Sequence, residues 1–372
     1  MNNIKNIIVL ALILVLACFG PLAAEGAEKM RITDAAGRQV EAPLNPKRLL
    51  AIGPGSLRMI CYLEGTDRVV GVEAFEKSQP VGRPYILANP ELNKLSPIGP
   101  GGPASINREP DLEAVLRVSP EVIFVVSMEA AKAEALQKKL GIPVVILSYG
   151  SAGAGTFDEM AYESLRVTGR ILGKENRAEG VIAFIEKARR ELLGRTEKVK
   201  EDRKPRVYAG GISLRGMQGL DSSDADYPPL AWVNARNLAR EAAHKGHIFV
   251  DKEKLLSWNP DLIFVDAWGL NLIMQDYQRK PDFYRNLKAV REKRIHMLYP
   301  FNMYSTNIDT VVADAYAVGK ILYPDIFTDI DIAERAGAVY SFLLRRSVYG
   351  ELKKQFGDLG RVVDISIPVQ TP

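Results

Sequence analysis

Histidine is scarce in this chain of 372 residues, with three in all, and cysteine is scarcer still, with two. The histidines are His244, His247 and His296, all in the second half of the chain. That is too few and too one-sided for a bare zinc or manganese site, which wants several His and carboxylates converging from different parts of a fold. Cys18 lies in the N-terminal apolar segment. Once that segment is removed only Cys61 remains, and no intrachain disulfide can form. Cys61 sits among Met59, Ile60, Tyr62 and Leu63 and reads as a small buried hydrophobe. A net charge of +4 with no basic run gives no reason to expect nucleic acid as a partner. The chain also lacks a nucleophile elbow, a His-Glu-x-x-His pair and a phosphate loop ending in Lys and Ser/Thr. Gly53-Pro54-Gly55-Ser56 lacks the further glycine spacing of a dinucleotide fingerprint. These absences weigh against catalysis, and an exported enzyme with an unrecognised active site is the alternative class.

Long apolar runs are nearly absent as well. The one exception, Ile7 to Phe19, is too short to span a bilayer. Lys5 precedes it, Gly20-Pro21 breaks it and Ala23-Ala24 follow, so residues 1–24 read as a signal peptide. Val15-Leu16-Ala17-Cys18 offers a second processing route, lipidation at Cys18. The helix breaker favours ordinary cleavage near Ala24. Either route places the protein in the periplasm or another extracytoplasmic space.

What is present is a pattern stated twice. Asp111-Leu112-Glu113 is followed by Ser119-Pro120-Glu121-Val122-Ile123-Phe124-Val125. Asp251-Lys252-Glu253 is followed by Asn259-Pro260-Asp261-Leu262-Ile263-Phe264-Val265. Each unit reads as a short helix stopped near the residue before Pro, then a buried strand. Strand–helix alternation surrounds both copies, which predicts two α/β lobes with mostly parallel, Rossmann-like sheets. Residues 30–150 form the N-terminal lobe and 205–372 the C-terminal lobe with terminal helices. Between them, 157–199 is read as a long connecting spine helix, with Gly169 and Gly173 as points of bending or interruption. The segment Arg31 to Val40, which alternates loosely around Ala36-Gly37, reads as a short hairpin or an edge strand, and a helix is expected over Trp232 to Arg240.

The order and spacing of these pieces resemble a class III periplasmic substrate-binding protein, the family serving iron–siderophore, haem and vitamin B12 importers. The resemblance covers about residues 30 to 330. It rests on Pro46-Lys47-Arg48-Leu49-Leu50, Val69-Val70-Gly71-Val72, the two Glu units, Gly169-Arg170-Ile171-Leu172-Gly173-Lys174 and Asn286-Leu287-Lys288-Ala289-Val290. It implies a monomer with no intrinsic cofactor and a ligand cleft between the lobes. It also implies that Glu113 and Glu253 dock into arginine pockets on the permease subunits of an ABC transporter. The leading ligand is an Fe(III) chelate, most of all a ferric siderophore, with haem, cobalamin or an oxyanion as alternatives.

In such a protein the ligand meets loops at the carboxyl ends of the strands. Arg58, Arg83 and Arg215 are the candidates for anion contacts. Tyr85, Tyr149, Trp268, Tyr299 and Tyr304 are candidates for the cleft wall, because rings give contact area at low entropic cost. The resemblance further implies that His247, with Tyr299 or Tyr304, completes an iron coordination sphere. Two exposed histidines in a loop are the plainer reading. Trp232 and His296 are read as structural.

Overall fold

The computed structural model of the chain describes residues 28–78, 81–150, 159–213 and 216–368. The segment 1–24 read as a signal peptide, with Cys18, and Arg215 lie outside the described residues. In the first lobe the strands Leu49–Ile52, Val122–Val126 and Val144–Leu147 lie side by side in parallel, in that order. All their residues are buried, as a sheet covered on both faces requires. Alternate residues enter different cores. Leu49, Ala51 and Phe124 face the large core, while Leu50, Ile52 and Ile123 face a smaller one closed by Ala133 and Leu136. The second lobe holds Arg236–Asn237, Arg206–Gly210, Leu262–Asp266 and Ile295–Leu298, again all parallel. The opening hairpin pairs Lys29–Thr33 with Gln39–Pro43.

The repeated motif performs the same structural task in both lobes. Asp111 and Asp251 cap the helices Leu112–Arg117 and Lys252–Trp258, accepting hydrogen bonds from the Ala114 and Lys254 backbone N–H groups at 3.0 and 2.6 Å. Ser119 and Asn259, each just before Pro, both adopt a left-handed φ of 42°. The acid after Pro then clamps the preceding strand. Glu121 accepts the Arg48 N–H at 2.8 Å and Asp261 accepts the Arg206 N–H at 2.8 Å. In return, the Glu121 and Asp261 N–H groups donate to the Arg48 and Arg206 carbonyls, each at 2.8 Å. Each Glu helix therefore leads into an interior strand of its sheet.

The connection between the lobes is two helices rather than one spine. Glu159–Leu172 and Glu175–Thr196 are separated at Gly173, whose φ is 63°. They pack together where Gly169 meets Ala178, and a Cβ on Gly169 would lie 2.8 Å from the Ala178 methyl. At 1.5 Å per residue the second helix is about 33 Å long, and it is fastened at both ends. Arg177 donates to Tyr62 O of the first lobe and to Phe342 O and Leu343 O of a terminal helix. Arg195 pairs with Asp329, and Tyr316 bonds Glu191. The terminal helix Ile332–Leu344 packs on Ile308–Leu322 of the second lobe and also on Ser56–Tyr62 and Pro84–Ala88 of the first. It thus belongs to both lobes, and the large core runs through the whole molecule. The helix expected over Trp232 to Arg240 does not form. Pro228–Ala231 is helical, Asn234 turns left-handed with φ 51°, and Arg236–Asn237 joins the sheet edge.

Arg177 is the fastening point at the first lobe. Its replacement by Ala is expected to lower the unfolding free energy by about 1–3 kcal/mol, the range for leaving buried hydrogen-bonding groups unpaired. The check is a urea titration, in which the midpoint falls and Arg177→Lys recovers only part of the loss; an unchanged midpoint would show that the spine is held elsewhere.

Candidate functional site

The loop after Leu49–Ile52 is shaped by two glycines that nothing else replaces. Gly53 and Gly55 have φ of 86° and 82°, and Cβ atoms there would stand 2.3 Å from Val126 O and 2.5 Å from the Tyr149 ring. The tight turn brings Arg58, in the first turns of helix Ser56–Tyr62, to the boundary between the lobes. Arg58 is 0% exposed. Its Nε donates to Asn307 Oδ1 at 2.9 Å, Nη1 to Thr306 O at 2.9 Å and Tyr149 OH at 3.4 Å. Its Nη2 donates to Met303 O at 2.9 Å and Tyr304 O at 3.1 Å. A guanidinium has five N–H donors, so none is left for a ligand. Arg58 was expected to contact an anion; in this conformation it instead joins the first lobe to the loop after Ile295–Leu298.

Arg83 and Tyr85 are turned inward as well. Glu76 Oε2 accepts Arg83 Nη1 at 2.5 Å and the Tyr85 hydroxyl at 2.7 Å, and all three side chains are buried. The Arg58 guanidinium lies 4.7 Å over the Tyr85 ring. The Arg83 guanidinium lies 4.8 Å over Phe75, and its Nε has no partner among the described residues. Tyr149 donates to Gly55 O at 2.9 Å and so braces the glycine turn. Tyr304 donates to Glu73 Oε2 at 2.8 Å and accepts from Gly102 N–H at 3.1 Å. Glu73 Oε2 also accepts Gly53 N–H at 3.1 Å. Burial pushes the Glu73 carboxyl up to about 7, against the lowering effect of the Tyr304 bond.

Arg58, Arg83, Tyr85, Tyr149 and Tyr304 therefore belong to one buried polar network with Glu73, Glu76 and Asn307. Tyr299 stands apart. Its hydroxyl donates to Gly357 O at 2.8 Å and its ring faces Tyr349 and Phe356. Trp268 is half-buried after Leu262–Asp266, its backbone N–H on Asp266 at 2.8 Å. His247 lies in a two-stranded sheet, with Nε2 2.7 Å from Ser222 Oγ. Ser222 Oγ donates its hydrogen to Ile212 O at 2.5 Å, so His247 Nε2 is the donor and the ring is the Nε2–H tautomer. Burial lowers its pKa. Among the described residues no hydrogen bond or ring contact joins His247 to Tyr299 or Tyr304, and no three His, Cys, Asp or Glu side chains converge to hold a metal ion. Trp232 is buried, and His296 Nδ1 meets Gly360 O at 2.9 Å.

Open space adjoins this network, and larger grooves of about 520, 300 and 240 Å³ lie elsewhere. A cavity of about 220 Å³ sits at the carboxyl ends of Val122–Val126 and Val144–Leu147, lined among others by Ser127, Ser148, Gly150 and, from the second lobe, Ser305. No charged side chain lines it among the described residues. Ser127, Tyr304 and Ser305 hold φ of 59°, 51° and 68°, a conformation costing non-glycine residues about 1–3 kcal/mol each and concentrated at functional sites. Ser148 Oγ accepts Gly150 N–H at 2.9 Å, which leaves its hydrogen directed elsewhere. Ser127 and Ser305 hydroxyls have no partner among the described residues. The cavity can thus supply neutral hydroxyl donors to a small hydrogen-bond acceptor, with the Arg58 charge held behind the Tyr149 wall. Serines at strand ends were visible in the sequence, but aromatics and arginines drew the expectation instead. On the lobe surfaces, Glu113 and Glu253 are exposed and neither has a hydrogen-bond or ion-pair partner among the described residues.

Glu73 ties the network to pH. Its raised pKa means that its contribution to stability is full below the unfolded value of about 4.3 and is lost as pH rises through about 7. The linked change is on the order of 3 kcal/mol, at about 1.4 kcal/mol per pH unit of separation. Glu73→Gln should remove that part of the fall in stability between about pH 5 and about pH 8. Urea titrations at both pH values check this, and an equal fall in the two proteins would remove Glu73 as the cause.

Comparison with known proteins gives a consistent picture. The sequence profile described as periplasmic binding protein matches residues 50–300. The chain is similar to the molybdate-binding protein MolA of Haemophilus influenzae, 24% identical over 335 residues, covering 85% of this chain and 91% of that one. It is also similar to YvrC of Bacillus subtilis, an uncharacterised ABC transporter substrate-binding lipoprotein, at 20% identity over 80% of this chain and 87% of that one. Among solved structures, MolA bound to molybdate superposes with a TM-score of 0.66 at 21% identity, over 86% of this chain and 98% of that one. A periplasmic solute-binding protein of Veillonella parvula gives 0.67 at 21% identity, over 88% and 97%. With two parallel-sheet lobes, a cavity at their strand ends and a family profile spanning both lobes, this chain belongs to the periplasmic binding protein family and is a solute-binding protein.

Proposed function

We propose that the protein is the extracytoplasmic receptor of an ABC importer, and that it carries a compact oxyanion of the molybdate class to the permease. The observation that carries this reading is the small cavity walled by hydroxyls. As bounded by the described residues, its volume of about 220 Å³ falls below the roughly 300 Å³ at which pockets for drug-sized ligands begin. A ferric siderophore or a haem is larger than such a ligand. A tetrahedral oxyanion carries its own charge and asks mainly for hydrogen-bond donors, which serines and backbone N–H groups supply. The similarity to a molybdate-binding protein supports the same class. The ferric chelate expected from the aromatic loops loses support, because Tyr85, Tyr149 and Tyr304 are engaged in the buried network.

Docking to the permease is proposed through Glu113 and Glu253. Every other polar side chain that the two motifs share has a task inside its lobe, as cap or strand clamp. The two glutamates are exposed and unpaired among the described residues, which leaves them available for charge-assisted pairing with arginine. Residues 1–24 and the periplasmic relatives support an extracytoplasmic location. No helix among the described residues is long and apolar enough to cross a membrane.

Isothermal titration of the mature chain with sodium molybdate, a ferric catecholate, haem and cobalamin tests the ligand class. Molybdate should bind saturably, and Ser305→Ala should weaken it about 10-fold, the size of one lost hydrogen bond to a charged group. Tight binding of the ferric catecholate without molybdate binding would overturn the oxyanion reading and restore the chelate. The double variant Glu113→Ala with Glu253→Ala should leave ligand affinity unchanged and cut uptake by about 10-fold or more, since charged pairs of this kind set register as well as affinity. Normal uptake by that variant would remove the docking assignment.

A further inference from the structure

The two Glu helices leave a second feature at matched positions. In the first, Ala114 and Val115 are buried; in the second, Leu255 and Trp258 are buried. Leu116 and Leu256, each three residues after its Glu, point outward instead, 52% and 36% exposed. Residues three apart are neighbours on one helix surface, with Cβ atoms about 5–6 Å from each other. Glu113 with Leu116, and Glu253 with Leu256, thus form the same carboxylate-plus-isobutyl pair in each lobe. A single exposed Leu needs no explanation. Its recurrence at the same offset from the same unpaired carboxylate does, because the two helices otherwise differ in sequence wherever the fold allows. The neighbouring positions Lys252 and Leu255 of the second helix face a separate groove of about 520 Å³ with a mixed charged and apolar lining, which Glu253 and Leu256 do not enter.

We infer that each lobe docks by a two-part contact: the Glu carboxylate meets a basic socket on the permease, and the Leu three residues on fills an apolar socket beside it. This rests on the docking reading above. An exposed ion pair by itself is weak and screened by salt. An apolar side chain seated beside it excludes water, which strengthens the pair and makes the contact resistant to ionic strength. The Leu positions make the surface specific as well, since a basic patch without the adjoining apolar socket would leave two leucines facing water.

The test measures association of the full mature chain, with sodium molybdate as probe, to the partner permease–ATPase complex in lipid nanodiscs across a salt series. Leu116→Asn with Leu256→Asn should weaken association about 10-fold or more and make what remains more salt-sensitive, with melting temperature unchanged because both sites are exposed. Leu116→Met with Leu256→Met, which keeps the apolar surface, should associate like the unmodified chain. Should the Asn pair bind normally while Glu113→Ala with Glu253→Ala loses binding, the two-part contact is wrong and docking by charge alone stands. If neither double variant loses association, the docking reading fails and takes this inference with it.

Discussion

Arg58 holds a full positive charge away from water, and the arrangement of both lobes follows from how that charge is satisfied. An unpaired buried charge is among the most destabilising features a fold can carry. All five of its donors reach acceptors, four of them on residues 303–307 of the opposite lobe. The loop after Ile295–Leu298 must therefore present a row of carbonyls to the first lobe, and it does so through the left-handed residues Tyr304 and Ser305. That same backbone path sets Ser305 at the cavity and Tyr304 over Glu73. Lobe contact, loop conformation and cavity shape are one problem with one solution.

The network also explains why the described residues of the cavity wall carry no charged side chain. Arg58 and Arg83 are committed to Asn307, main-chain carbonyls and Glu76, and the tyrosines are committed to Gly55, Glu73 and Glu76. What remains for a ligand is hydroxyl. A pocket of neutral donors backed by a buried cation favours a small anion over a broad aromatic chelate, since it offers little apolar area for a large ligand to cover.

The duplicated motif divides into two kinds of residue. The Asp caps, the prolines and the acids after them serve the lobe's own architecture, and their partners are the same in both copies. The glutamates have no hydrogen-bond or ion-pair partner among the described residues, and the leucines that follow them are exposed. Much of this was legible early: the lobes, the parallel strands, the opening hairpin and the Glu helices all came from patterns contained within a few residues. The expected single spine was less well read, because Gly173 permits either a bend or a full break. Contact between Gly169 and Ala178 favours the break.

The sequence alone determined two similar α/β lobes and a repeated helix–Pro–strand unit, because caps, residue-before-Pro geometry and buried runs are local constraints. Only the tertiary structure decided what Arg58, Glu73 and Tyr304 do. Arg58 and Asn307 are 249 residues apart and Tyr304 and Glu73 231, and no short-range pattern records such a pairing. Whether an arginine near a strand end faces a ligand or a carbonyl depends on which acceptor the far lobe brings to it, and that is known only once the lobes are packed.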